Sequence, residues 1–98
     1  MMIEIKKNVE ITIVEIVGRL DTTTAPSLEK TLNEDMADIK NLILDLKGLE
    51  YISSAGLRVL LSAQKKMQQV GIMKIINVCD AIMDVFEMTG FADILTIE

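Results

Sequence analysis

The run Leu42-Ile43-Leu44-Asp45-Leu46 limits the fold more than any other segment. It is almost continuously apolar, as a central strand covered on both faces would be. Helical spacing flanks it on both sides. Upstream, Leu28, Leu32, Met36 and Ile39 recur at helical intervals, with Glu29, Lys30, Asn33 and Glu34 between them. Downstream, Leu57, Leu60, Leu61 and Met67 predict a helix from about Ser54 to Val70, which Gly71 terminates. A buried strand between two helices is the crossover unit of a parallel sheet.

The remaining segments complete the order. Ile3 and Ile5 alternate with Glu4 and Lys6, which predicts a half-buried edge strand. Glu10 to Val17 is rich in β-branched residues and ends at Gly18. The link between these two is too short for a crossover, so they form an antiparallel hairpin. Leu20-Asp21-Thr22-Thr23-Thr24-Ala25-Pro26 joins capping side chains to a first-turn proline and marks a helix start. Ile72 to Val78 reads as a strand. Asp80 can cap a third helix, burying Ile82, Val85 and Phe86 and ending at Gly90, and Ile94 to Ile97 closes the chain as a last strand. The expected fold is an α/β sandwich in β-β-α-β-α-β-α-β order, with a mixed, mainly parallel sheet, an N-terminal antiparallel hairpin and three helices. The sheet is exposed on part of one face. Pro26 is the only proline and no linker or repeat interrupts the chain, so residues 1–98 form one domain.

Composition excludes several classes of function. Half of the 98 residues are apolar, and a chain of this length buries about two-thirds of its unfolded surface, enough for a core. Ten Lys and Arg against fifteen Asp and Glu leave a net charge of −5. With one Tyr, two Phe and no Trp, the chain lacks both the basic footprint and the stacking platform of a nucleic-acid binder. The absence of histidine removes Ser-His-Asp and Cys-His catalysis and histidine metal sites. No cofactor is implied. The single cysteine, Cys79, suits a reducing compartment. The N-terminal residues lack a signal-peptide pattern and no run reaches the length of a membrane span, so a cytoplasmic protein without membrane insertion is expected.

Ligand-binding loops in such sheets lie at the carboxyl ends of strands, where helix N-termini also point. Two loops qualify: 18–24, after the second strand, and 45–57, between the central strand and the second helix. The latter places Ser53 and Ser54 at a helix start, where free N–H groups and a partial positive charge accommodate phosphate. Arg58 lies on the same helical face as Ser54. Gly56, costly in a first helical turn, implies a close approach by another group. On spacing alone, Ser53 or Ser54 reads first as an ordinary N-cap and Arg58 as a solvated side chain, ahead of a phosphate site. Asp21 and Asp45 end successive strands. Converged, they would offer a cation site or a general base; apart, they cap a helix start and accept from loop amides.

Tyr-Ile-Ser-Ser-Ala-Gly-Leu-Arg-Val-Leu-Leu (51–61), preceded by Leu-Ile-Leu-Asp-Leu (42–46), resembles the signature of STAS-domain anti-sigma factor antagonists. Gly-Arg-Leu-Asp-Thr-Thr-Thr-Ala (18–25) resembles that family's first conserved loop. The likeness spans nearly the whole chain. It implies a regulator without catalysis, which binds an anti-sigma factor that is also a serine kinase and so releases the sigma factor. By the resemblance, the kinase phosphorylates Ser54 and breaks the complex, and a metal-dependent serine phosphatase restores it. Asp21, Thr22, Thr23, Ser53, Ser54 and Arg58 would form the partner surface, and Gly18, Asp45 and Gly56 would shape its loops. Several sporulation and stress-response members carry Asp where this chain has Ser53, and Ser or Thr where it has Ala55. Two other readings stand beside this one: a STAS module of another assembly, such as a stress sensor or a lipid-transport complex, and a small enzyme using Asp21 and Asp45.

Overall fold

The opening hairpin forms in the computed structural model, which describes residues 1–8, 10–35 and 39–98. Strand β1 (Met2–Lys7) pairs antiparallel with β2 (Thr12–Leu20), Ile3 facing Ile16 and Ile5 facing Val14. Asn8 closes the turn, its side-chain oxygen accepting from the amides of Glu10 and Ile11. Helix α1 (Ala25–Asp35) then crosses to β3 (Asn41–Asp45), which runs parallel to β2. A short strand β4 (Leu49–Ile52) precedes helix α2 (Ser54–Val70). Strand β5 (Ile72–Ile76) lies parallel to β3, and helix α3 (Asp80–Thr89) is followed by a single 3-10 turn at Phe91–Asp93. The mixed sheet, three helices and antiparallel opening pair are those expected of the sequence.

The sheet order is β1-β2-β3-β5, with β4 joined to β2. Because β2, β3 and β5 follow one another in the same direction, right-handed crossovers put α1 and α2 on one face. Burial follows: Val14, Ile16, Leu42, Leu44, Met73 and Ile75 point to the helices and are sealed by Leu28, Leu32, Leu60, Met67 and Phe86. Across the other face run Lys6, Ile13, Ile43 and Lys74 in one row and Glu4, Glu15, Asp45 and Ile76 in the next.

Four expectations change. Strand β3 is covered on one face only, since Ile43 and Asp45 are half-exposed while Leu42 and Leu44 are buried. Residues 49–52, expected within a loop, form β4, because β2 outruns β3 and its second half needs a partner: Gly18 pairs with Leu49 and Leu20 with Ile52. The second strand accordingly continues through Gly18 to Leu20, with a bulge at Gly18/Arg19. The expected last strand shrinks to one bridge between Ile97 and Ile75, because the amides of Ile94 and Leu95 turn back onto the Phe91 carbonyl and leave only the final residues to reach β5. Met36, assigned to the inner face of α1, lies outside the described residues.

Candidate functional site

The carboxyl ends of β2 and β4 bring two loops together. Leu20 pairs with Ile52, and the Leu20 carbonyl accepts from the Ser53 amide at 2.9 Å, so the turn that begins at Asp21 lies beside the start of α2.

The first loop is built by Asp21. Its Oδ1 accepts from the Thr23 hydroxyl at 2.7 Å and from the amides of Thr23 and Thr24 at 3.0 and 3.1 Å. The Thr24 hydroxyl accepts from the Asp21 amide at 2.8 Å and lies 2.8 Å from the Arg19 carbonyl. Its single proton therefore goes to that carbonyl rather than to Asp21 Oδ1 at 3.2 Å. These bonds, led by the Thr23 hydroxyl, hold the Asp21 carboxyl below its ordinary value. Thr22 and Thr23 remain exposed. Gly18 adopts a left-handed φ of 103° that suits glycine, and its amide reaches the Gly48 carbonyl at 2.9 Å.

The second loop separates its two serines. Ser53 is the N-cap of α2: extended in backbone, it accepts the Gly56 amide on Oγ at 3.4 Å and the Leu57 amide on its carbonyl at 2.9 Å. Ser54 is the first helical residue and is exposed, and among the described residues its hydroxyl has no protein partner. Gly56 explains how the helix start sits so low on the strands. A Cβ there would fall 2.7 Å from Leu20 Cγ and 2.9 Å from Ile52 Cγ1, so only glycine lets α2 approach both. Arg58 is exposed, one turn beyond Ser54, and forms no ion pair among the described residues. With Leu61, Ser62, Lys65 and Lys66 it lines a shallow, basic hollow along the outer side of α2.

Asp45 does not converge on this site. Its register partner on β2 is Glu15, six residues before Asp21, or roughly 15–20 Å along the strand. There its Oδ1 accepts from the Lys47 amide at 3.0 Å and the Asn77 side chain at 3.1 Å, bracing the β3 and β5 ends. The paired-aspartate arrangement that an acid-dependent enzyme would need is therefore not formed. A further feature had no signal in the sequence: the Arg19 guanidinium stacks on the exposed Tyr51 ring, 4.2 Å from its centroid. Parallel pairing of Arg19 with Tyr51 creates this contact, and the two residues are 32 positions apart in the chain.

Residues 2–98 match the family model described as STAS domain. The chain is 35% identical over 82 residues to BtrV of Bordetella bronchiseptica, covering 82% of this chain and 71% of that protein. It is 30% identical over 96 residues to the anti-sigma-B factor antagonist of Bacillus subtilis, covering 97% of this chain and 88% of that one. Among solved structures, an anti-sigma factor antagonist from Mycobacterium paratuberculosis superposes with a TM-score of 0.89 at 23% identity, over 98% of this chain and 83% of the other. Among the described residues, no helix is long and apolar enough to cross a membrane.

Proposed function

The chain belongs to the STAS-domain family, and from that premise we propose that it is an anti-sigma factor antagonist whose binding is switched off by phosphorylation of Ser54. The observation that carries this reading is the division of labour between the two serines. Ser53 is committed to capping α2, while Ser54 is exposed on the first helical residue, its hydroxyl without a partner among the described residues. A phosphate at Ser54 would bring about −1.5 to −2 charges to a helix N-terminus, which suits it electrostatically, so the fold need not change. The effect falls on the surface instead. Asp21, Thr22, Thr23, Ser53, Ser54 and Arg58 make one patch at the ends of β2 and β4, and the new charge and bulk stand within it. The partner is an anti-sigma factor that is itself a serine kinase, and a serine phosphatase reverses the modification; both act in the cytoplasm. The chain itself turns over no substrate.

Incubation with a serine-kinase anti-sigma factor of the same organism and ATP is expected to add one phosphate, mapped to Ser54 by mass spectrometry. Ser54→Ala abolishes labelling. Ser53→Ala loses a cap worth about 0.5–1 kcal/mol yet is still labelled. Ser54→Asp weakens binding of the anti-sigma factor while leaving the circular dichroism spectrum unchanged. Stoichiometric phosphate on Ser53 in the unaltered protein would overturn the assignment.

A further inference from the structure

The outer edge of β1 is complementary to itself. Among the described residues β1 pairs with β2 alone, so one row of its backbone N–H and C=O groups faces outward. Its charges are incompletely matched within the chain. Glu4 stands directly across from Glu15, a like-charge pair, while the nearby cation, Lys6, is drawn onto Glu15 at 3.1 Å. Glu4 has no ion pair among the described residues. Ile5 is 37% exposed and Met2 70% exposed at the same edge.

We propose that two copies of this chain associate through antiparallel pairing of their β1 edges, with Ile5 on the two-fold axis and Glu4 of each copy opposite Lys6 of the other. Symmetry and charge favour this register, because among centrings on residues 3 to 6 it alone sets unlike charges opposite one another. A two-fold axis perpendicular to the sheet keeps each face on its own side, so opposed residues must have numbers of the same parity. Centring on Glu4 would oppose Glu4 to itself, and centring on Lys6 would oppose Lys6 to itself; both are repulsive. Centring on Ile5 sets two Glu4–Lys6 pairs on the open face and Ile5 against Ile5 on the helix-bearing face. It also extends each intrachain pair into the ladder Glu15–Lys6–Glu4 across the junction. Lysines on a strand edge ordinarily discourage pairing, and here Lys6 does so in the register centred on itself, as Glu4 does in the other. The β1 edge lies on the opposite side of β2 from β4, so the association is independent of the proposed switch at Ser54 and survives its failure.

One short strand pair buries less than about 1,200 Å², which corresponds to a weak, concentration-dependent dimer. Sedimentation velocity from about 10 μM to 1 mM is expected to show a reversible monomer–dimer equilibrium, a range suited to so small an interface. Glu4→Lys alone and Lys6→Glu alone should each weaken it about tenfold or more, because each places two like-charge pairs across the axis. The double exchange Glu4→Lys with Lys6→Glu should restore it. In a Cys79→Ser background, Ile5→Cys should give a disulfide-linked dimer on mild oxidation, since opposed Cβ atoms about 4.5–5.5 Å apart need close by only about 1 Å at an exposed strand edge to reach disulfide geometry. Glu4→Cys in the same background should cross-link poorly, being offset from its copy. A protein that stays monomeric at the top concentration would overturn the proposal. So would a dimer indifferent to both single exchanges, or one cross-linked as readily through residue 4 as through residue 5. Circular dichroism of each variant separates loss of pairing from loss of folding.

Discussion

At the scale of single residues, the site rests on a half-exposed carboxylate that collects donors. Asp21 accepts on one oxygen from the Thr23 hydroxyl and from two backbone amides, and its acidity is strengthened by those bonds. A carboxyl whose folded value lies below its unfolded one contributes stability that is fully present above the ordinary value of 3.8. That contribution is lost as pH falls through the lowered value. Asp21→Asn should therefore melt below the unaltered protein at pH 7, and the gap between the two melting temperatures should close as pH falls below 3.8. A gap that persisted in acid would show that the amide fails for its geometry rather than its charge. The serines were legible as a pair because capping is local, but spacing left open which of them caps, and the bond from the Gly56 amide to Ser53 decides it. Arg19 and Tyr51 were not legible, nor was the true position of Asp45. Each depends on which residue of a distant strand stands alongside, and no local pattern encodes register.

At the scale of elements, glycines end two helices for different reasons. Gly71 follows α2 in extended backbone, φ 174°, which any residue adopts. What it provides is space, because a Cβ there would sit 2.0 Å from the Lys40 carbonyl oxygen. Gly90 follows α3 with a left-handed φ of 82° and open surroundings. Gly71→Ala must displace the backbone at Lys40 and is expected to cost about 1–3 kcal/mol or more, as overpacking does. Gly90→Ala pays only for conformation, about 1 kcal/mol. Urea midpoints of the two variants measure the order, and a smaller loss at Gly71 would refute the steric account. The helices themselves were readable to within a few residues, with α2 spanning Ser54–Val70 as its periodicity indicates. The ends of the sheet were not. Strand β4 exists because β2 is longer than β3, and the C-terminal segment falls short because Ile94 and Leu95 stay bonded to the Phe91 carbonyl. Both are facts about neighbours.

At the scale of the whole molecule, a sheet covered on one face by helices divides protection unequally. Strand β3 lies between β2 and β5, with Leu42 and Leu44 buried beneath the helices. Its amides should be the slowest to exchange with deuterated solvent, and the outward amides of β1 among the fastest. Protection of β1 should rise with protein concentration if copies pair at that edge. Exchange from β3 as rapid as from β1 would contradict the central position of β3. The overall class was legible because alternating strand and helix patterns constrain the chain to parallel crossovers, and Leu42–Leu46 located the middle of the sheet.

The joining of β2 to two successive strands also sets the order in which the molecule can assemble. Thr12 meets Leu42, Gly18 meets Leu49, and Asn41 meets Ile72, so each of these parallel contacts bridges about thirty positions of chain. Only the β1–β2 hairpin is local. Distant pairings must overcome loop-closure entropy before their contacts reward it, so the hairpin supplies the early template and the parallel strands join it later. The four residues of β4 have the least to gain from arriving alone. The start of α2, and Ser54 with it, is therefore expected to be completed late in folding, and a chain caught short of that point carries a finished hairpin but lacks the patch proposed to meet a partner.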